Sequence, residues 1–302
     1  MTIAVAWVRR IADCEELVFA SDSRLSGDTR IFDAAPKILT LPRGDCAIAF
    51  AGITQDAFPM MLQLSLAISS YGPTRRRSLE LGALKTHALK IFDGMSELIK
   101  SDAFVKGNPP GEIPASEFLF GGYSWTKKRF EIWKINYNMA ERRFVAARAP
   151  WARISSKTGI CRISRAAKSP QDVTLGQIAF AGDQAPNAEI KLSRELTNRL
   201  QIGEQVTKLD MEPFCVLVEM LRDRHRSHTI GGAPQLAKIY QYMTAVSFPL
   251  YWPSKAAGSV YLQGRPCLEY EHLDVKAVDP DAACMKGLKQ AERIGDECVA
   301  EA

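Results

Sequence analysis

Ile3-Ala4-Val5-Ala6-Trp7-Val8, near the start of the chain, is apolar without a break. A run of strand length with no polar alternation fits a strand buried on both faces, and that demands cover above and below it. Immediately before it stands Thr2, behind a lone Met1. Methionine aminopeptidase removes Met1 only when the next residue is small, and threonine qualifies. An N-terminal threonine carries its own base, because a free α-amine with a pKa near ~8 can take the hydroxyl proton directly or through one water. Thr2 is therefore a candidate nucleophile.

The next runs read as more β-structure. Leu17–Ala20 follows a polar stretch suited to a hairpin loop, and Ile38–Leu41 and Ala47–Ala51 flank the turn sequence Pro42-Arg43-Gly44-Asp45. Helices are expected next. Thr54 is placed to cap one over Gln55–Ser69, which Tyr71-Gly72-Pro73 stops. Leu84, Ala88, Ile91, Met95 and Leu98 form a one-sided stripe on a second, over 78–101. Gly107–Gly111 reads as a loop, and Glu117–Gly121, Phe130–Ile135 and Phe144–Ala147 as strands. Residues 151–174 are polar and patternless, an irregular insertion, and Ile178–Gly182 is another buried strand.

Helices are then expected over Asn187–Leu200 and from Asp210 to about Arg226. Asp210 would cap the second ahead of Pro213, and Gly231-Gly232 would end it. Strands at Val260–Leu262 and Leu268–Tyr270 and a last helix near 281–300 complete the chain. Runs of strands alternating with runs of helices argue for an α+β fold with helices layered on sheets.

Composition excludes several classes. A net charge of +5, from 39 basic against 34 acidic residues, is too small and too dispersed to indicate nucleic acid. No apolar stretch approaches the roughly 18–20 residues of a membrane span. Arg9-Arg10 follows the first apolar run instead of preceding it, unlike a signal peptide. Seven cysteines without close pairs read as reduced thiols of a cytoplasmic protein. No Gly-x-Ser-x-Gly, Walker or Gly-x-Gly-x-x-Gly motif competes with Thr2.

Four segments in order carry a family resemblance: Thr2-Ile3-Ala4-Val5, Phe19-Ala20-Ser21-Asp22-Ser23-Arg24, Pro36-Lys37-Ile38, and Ala49-Phe50-Ala51-Gly52-Ile53-Thr54-Gln55-Asp56-Ala57. Together they resemble proteasome β-subunits and the related bacterial peptidase subunits that work with an ATP-dependent unfoldase. The match is good over 2–57, fainter through Gly121-Gly122, Ala181-Gly182 and Gly231-Gly232, and absent from the final stretch.

The resemblance implies a four-layer αββα N-terminal-nucleophile (Ntn) hydrolase over 1–270 and a C-terminal helical extension over 271–302. It implies Thr2 as nucleophile and Lys37 beside it, whose charge would depress the amine pKa. Asp22 would hold Lys37, and the Gly52 N–H would form the oxyanion hole. It further implies a peptide or unfolded-protein substrate, a homo-oligomeric ring, a possible unfoldase partner, and no cofactor, nucleic acid or membrane.

Two positions depart from the family pattern. Asp183 follows Gly182 where the family has serine, and Ser227-His228-Thr229-Ile230 precedes Gly231-Gly232 where it has Asp-x-x-Ser. If the carboxylate and hydroxyl have exchanged places, Asp183 lies within about 4 Å of the Thr2 nitrogen and Ser227 lies on its other side. The alternatives are a non-catalytic assembly subunit and a small-amide hydrolase. Asp22 and Lys37 also fit a plain ion pair, and Gly52 a crowded strand end. Arg75-Arg76-Arg77 reads as a solvated loop, and Asp223, His225 and His228 as a solvated helix end.

Overall fold

The computed structural model describes residues 2–12, 14–27, 30–99, 116–166, 169–223, 229–242 and 244–286. The first hairpin forms from β1 (Ala4–Ile11) and β2 (Cys14–Ser21), with Ala4 opposite Ser21, and its strands take in most of the polar stretch read as a loop, because Arg10 and Ile11 pair with Glu15 and Cys14. A short ribbon, β3 (Leu25–Ser26) and β4 (Ile31–Phe32), follows. Next come β5 (Ile38–Thr40), β6 (Cys46–Gly52), α1 (Thr54–Ser70), α2 (Gly72–Arg75) and α3 (Leu81–Ser96).

The middle of the chain gives β7 (Ser116–Ser124), β8 (Arg129–Asn138), β9 (Arg143–Arg148), β10 (Trp151–Ile154), β11 (Cys161–Ser164) and β12 (Val173–Ala181). Helices α4 (Ala185–Gln201) and α5 (Glu212–Arg222) follow, then β13 (Gln235–Tyr240) and β14 (Ala245–Phe248). Three small strands, β15 (Leu250–Tyr251), β16 (Val260–Leu262) and β17 (Arg265–Pro266), precede α6 (Pro280–Lys286).

The fold is α+β and its sheets are antiparallel. One sheet has seven strands in the order β11-β10-β12-β1-β2-β13-β14, and another has five, β5-β6-β7-β8-β9. β1 lies at the middle of the larger sheet, which is why its apolar run is unbroken. Its side chains alternate between two cores. Ile3, Val5 and Trp7 pack with Leu192 and Leu196 of α4 and Phe214 and Leu217 of α5. Ala4 and Ala6 point the other way, towards Ala47, Ala49 and Ala51 of β6.

β6 alternates in the same manner, and Ile48 and Phe50 join Met61, Leu64, Leu84 and Phe92 from α1 and α3. Helices thus cover one face of each of these two sheets, and where the sheets meet the alanines of β1 and β6 pack with larger side chains such as Phe19, Leu119 and Ile132. At Gly121 a Cβ would come 2.9 Å from Leu17 Cδ2 and 3.0 Å from the Glu131 carbonyl oxygen, so glycine makes room there. Phe92 anchors the α3 core, with its ring centroid 4.7 Å from Phe118 and 5.6 Å from Phe144. Phe92→Ala is expected to cost about 3–5 kcal/mol, read from the urea midpoint.

Several boundaries differ from the sequence reading, each for a local reason. Thr54 does not cap α1; it is the helix's first residue, and Ile53 occupies the cap position without a side-chain bond. α3 starts at Leu81 because the chain is still turning at Leu79, whose N–H reaches Pro73 O, and Glu80 caps the helix through Gly82 N at 2.5 Å. Asp210 does not cap α5, because its carboxylate is taken by Arg9. α5 ends at Arg222, well short of Gly231-Gly232.

Residues 151–174 are not irregular. They hold β10 and β11, which extend the larger sheet at its edge, with only Ala152, Ile154 and Cys161 buried. That inward pattern is too short to stand out among cationic neighbours. Leu268–Tyr270 is a turn, held by Glu271 bonding Leu268 N at 2.7 Å and Arg265 Nη1 at 2.8 Å. α6 packs against α5, and Arg222 Nη1 donates to Asp281 Oδ1 at 2.7 Å. The remainder of the last expected helix, the Gly107–Gly111 loop, His225 and His228 lie outside the described residues. No described helix is long and apolar enough to cross a membrane.

Candidate active site

Thr2 sits two residues before β1, between the ends of β2 and β12. The β1–β12 register pairs Ala4 with Ala181, and continuing it by two residues brings Asp183 opposite Thr2. The β1–β2 register pairs Ala4 with Ser21, so Asp22 falls beside Ile3. Sheet pairing alone therefore gathers three chain segments at one point.

The side chains converge there. Lys37 Nζ donates to Thr2 Oγ1 at 2.9 Å and to Asp22 Oδ1 at 2.8 Å. Both Lys37 and Asp22 side chains are fully buried. Asp22 also accepts three backbone bonds, from Ile3 N at 3.2 Å, Arg24 N at 3.1 Å and Gly231 N at 3.3 Å. Burial pushes the Asp22 carboxyl up from its ordinary value, and the Lys37 charge opposes that. Burial likewise pulls Lys37 down, against the pull of Asp22. The amine nitrogen of Lys37 is thereby poised next to the Thr2 hydroxyl with a weakened hold on its proton.

Asp183 Oδ1 accepts from Thr2 N at 2.7 Å. Met1 precedes this nitrogen in the sequence, so the donor is an amide; after its removal the same atom is an α-amine. The second oxygen, Oδ2, accepts from Thr229 Oγ1 and from Gln184 Nε2, both at 3.2 Å. Gly182 is required for this approach. Its φ is 101°, and a Cβ would fall 1.9 Å from the Thr2 carbonyl oxygen. Gly182→Ala should therefore displace Asp183 from Thr2 and lower the melting temperature, a change visible by calorimetry and by loss of any Thr2 reactivity.

Thr2 lies at the floor of a cleft of about 1020 Å³ whose walls include Gly52, Glu117, Asn136, Tyr137 and Asp183. Gly52 ends β6 with φ 106°, a left-handed turn that glycine accommodates. Glu117 Oε2 accepts from Gly182 N at 2.9 Å, while its Oε1 pairs with Lys134 at 3.0 Å.

Of the residues singled out in the sequence, Thr2, Asp22, Lys37 and Asp183 form one connected set, and Gly52 lines the same cleft. Ser227 lies outside the described residues, and the hydroxyl that does meet Asp183 is that of Thr229. Two participants were given no role in the sequence reading. Gln235 accepts from Lys37 N at 2.9 Å and donates to Ala35 O at 2.6 Å and Asp22 O at 3.3 Å, clamping both backbones. Ser23 Oγ bridges Asp33 O at 2.9 Å and Ala233 O at 2.7 Å. Neither has a local signal, because each partner is contributed by a distant stretch of chain. No family model and no curated protein matches the chain.

Proposed function

We propose that the protein is an N-terminal threonine peptidase of proteasome type, cleaving peptide bonds through an acyl-enzyme on Thr2 once Met1 is removed. The observation that carries this reading is the buried Thr2–Lys37–Asp22 chain, with Thr2 Oγ1 2.9 Å from Lys37 Nζ at the floor of a cleft. A buried ion pair is often no more stabilising than apolar residues of the same size, so stability gives little reason to place one against a threonine hydroxyl. Three stacked cores, helix on sheet, sheet on sheet and sheet on helix, support a four-layer αββα arrangement of the N-terminal-nucleophile kind. A cleft of about 1020 Å³ suits an extended peptide better than a small amide.

In this reading Thr2 Oγ1 attacks the scissile carbonyl carbon while its proton passes to the Thr2 amine. The Gly52 N–H stabilises the oxyanion that forms. Collapse breaks the C–N bond, the proton goes to the leaving amine, and an ester on Thr2 remains. Water then hydrolyses that ester by the same proton route. Asp22 keeps Lys37 in contact with Oγ1 throughout.

Intact-mass analysis tests the reading. The purified chain should lack Met1, and a peptide epoxyketone directed at N-terminal threonine should add once, at Thr2. Met1 retained on every chain of an active preparation would rule the mechanism out; a Met1-free chain without adduct would favour the non-catalytic scaffold. Ring assembly belongs to the same proposal. Leu62 and Leu66 stand exposed on α1, and sedimentation should give a closed oligomer in place of a 33.5 kDa monomer.

A further inference from the structure

We propose that Asp183 is a positioning residue that ion-pairs the Thr2 α-ammonium once Met1 is gone, and thereby sets the reaction's working pH on the alkaline side. This rests on the peptidase reading above. The approach is built into the backbone: Gly182 touches the Thr2 carbonyl so closely that a Cβ would lie 1.9 Å from it. Asp183 Oδ1 is already 2.7 Å from the nitrogen that becomes the amine. Thr229 and Gln184 hold the other oxygen, so the carboxylate is fixed from behind.

The charges around that nitrogen decide the direction. Lys37, just before β5, bonds the Thr2 hydroxyl at 2.9 Å, but Asp22, just after β2, pairs with Lys37 at 2.8 Å. That pair carries no net charge whether both groups are ionised or the proton has moved between them. From β7, Glu117 bonds the neighbouring Gly182 N–H, and Lys134 of β8 pairs with it at 3.0 Å. Arg24 is engaged by Asp33 at 2.7 Å. Among the described residues, the charged side chain that bonds Thr2 N directly is Asp183, which also acts on Lys37 through its charge. An anion in contact favours the protonated amine, opposite to the effect expected from Lys37 alone. The ammonium must give its proton to water before it can take the Thr2 hydroxyl proton, and Asp183 delays that release. A serine at this position, as the family pattern has it, is neutral and exerts no such hold.

The test is the pH dependence of Thr2 labelling by a peptide epoxyketone, followed by intact mass on Met1-free wild type, Asp183→Asn and Asp183→Ser. The half-maximal pH of the wild type should stand above the ordinary α-amine value of ~8, and both variants should bring it down by about one unit or more. At a fixed pH below both midpoints, that is roughly a tenfold faster labelling per unit. A variant midpoint equal to that of the wild type overturns the proposal. Titration of the amine by nitrogen-15 NMR on threonine-labelled wild type decides the matter even where a variant fails to fold. A wild-type amine titrating at or below ~8 overturns it, and one above supports it. Met1-free protein that takes no label at any pH sinks the peptidase reading instead, while the NMR titration still reads the Asp183–ammonium pair.

Discussion

Thr2→Ala is expected to abolish the epoxyketone adduct and to lower peptide hydrolysis by on the order of 10⁶-fold, the scale seen when a hydrolase loses its nucleophile. Thr2→Ser should keep measurable turnover, since the hydroxyl remains within reach of Lys37 Nζ, now 2.9 Å from Thr2 Oγ1. The pair of variants separates chemistry from folding. The change removes only the hydroxyl and one methyl group of a residue that is 1% exposed and keeps its backbone bonds, so the alanine protein should assemble and melt close to the wild type. Initial rates on a fluorogenic peptide give the answer. An alanine variant as fast as the wild type would leave Thr2 with no part in the reaction.

Lys37→Met should be the most destabilising single change at the site. It removes the cation from a fully buried pair and leaves Asp22 with backbone donors alone, from Ile3, Arg24 and Gly231. Breaking a buried pair from one side costs about 3–5 kcal/mol. The loss should depend on pH with a definite sign. Burial already raises the Asp22 carboxyl above its ordinary value of 3.8, and removing Lys37 takes away the largest opposing influence. A group whose folded pKa is raised carries no penalty below its unfolded value and a growing one as pH climbs towards the folded value. The Lys37→Met protein should therefore approach wild-type stability near pH 4 and fall away above it. The double variant with Asp22→Asn should recover part of the loss at neutral pH. Urea unfolding across that range checks it; a deficit that stays constant with pH would mean Asp22 is not the strained group.

The parts legible in the sequence were those with local causes. β1 announced itself because a strand with neighbours on both edges and cores on both faces carries no polar residue for its first half. Asp22, Lys37 and Gly52 were legible through the order of four short segments that resemble a known family, each beside an apolar strand. Helix ends were read less well, since their caps depend on what else binds the capping group. Asp210 looks like a cap and serves Arg9 instead. β10 and β11 were unreadable because each buries only one or two side chains at a sheet edge. Gln235 was invisible for a different reason, since it reaches the site through the sheet pairing that brings β13 beside β2.

Sheet pairing also orders events in time. Thr2, Asp22 and Lys37 leave the ribosome early, whereas Ala181, the partner of Ala4, and Asp183 follow only after roughly 10–40 s of synthesis. Gly231 and Gln235, which complete the enclosure of Asp22 and Lys37, emerge later still. Until β12 and β13 close on the first hairpin, Lys37 stays hydrated and the Thr2 hydroxyl is an ordinary alcohol in water. On the peptidase reading proposed above, a half-made chain would be dormant, because the same long-range closure that slows folding also completes the site.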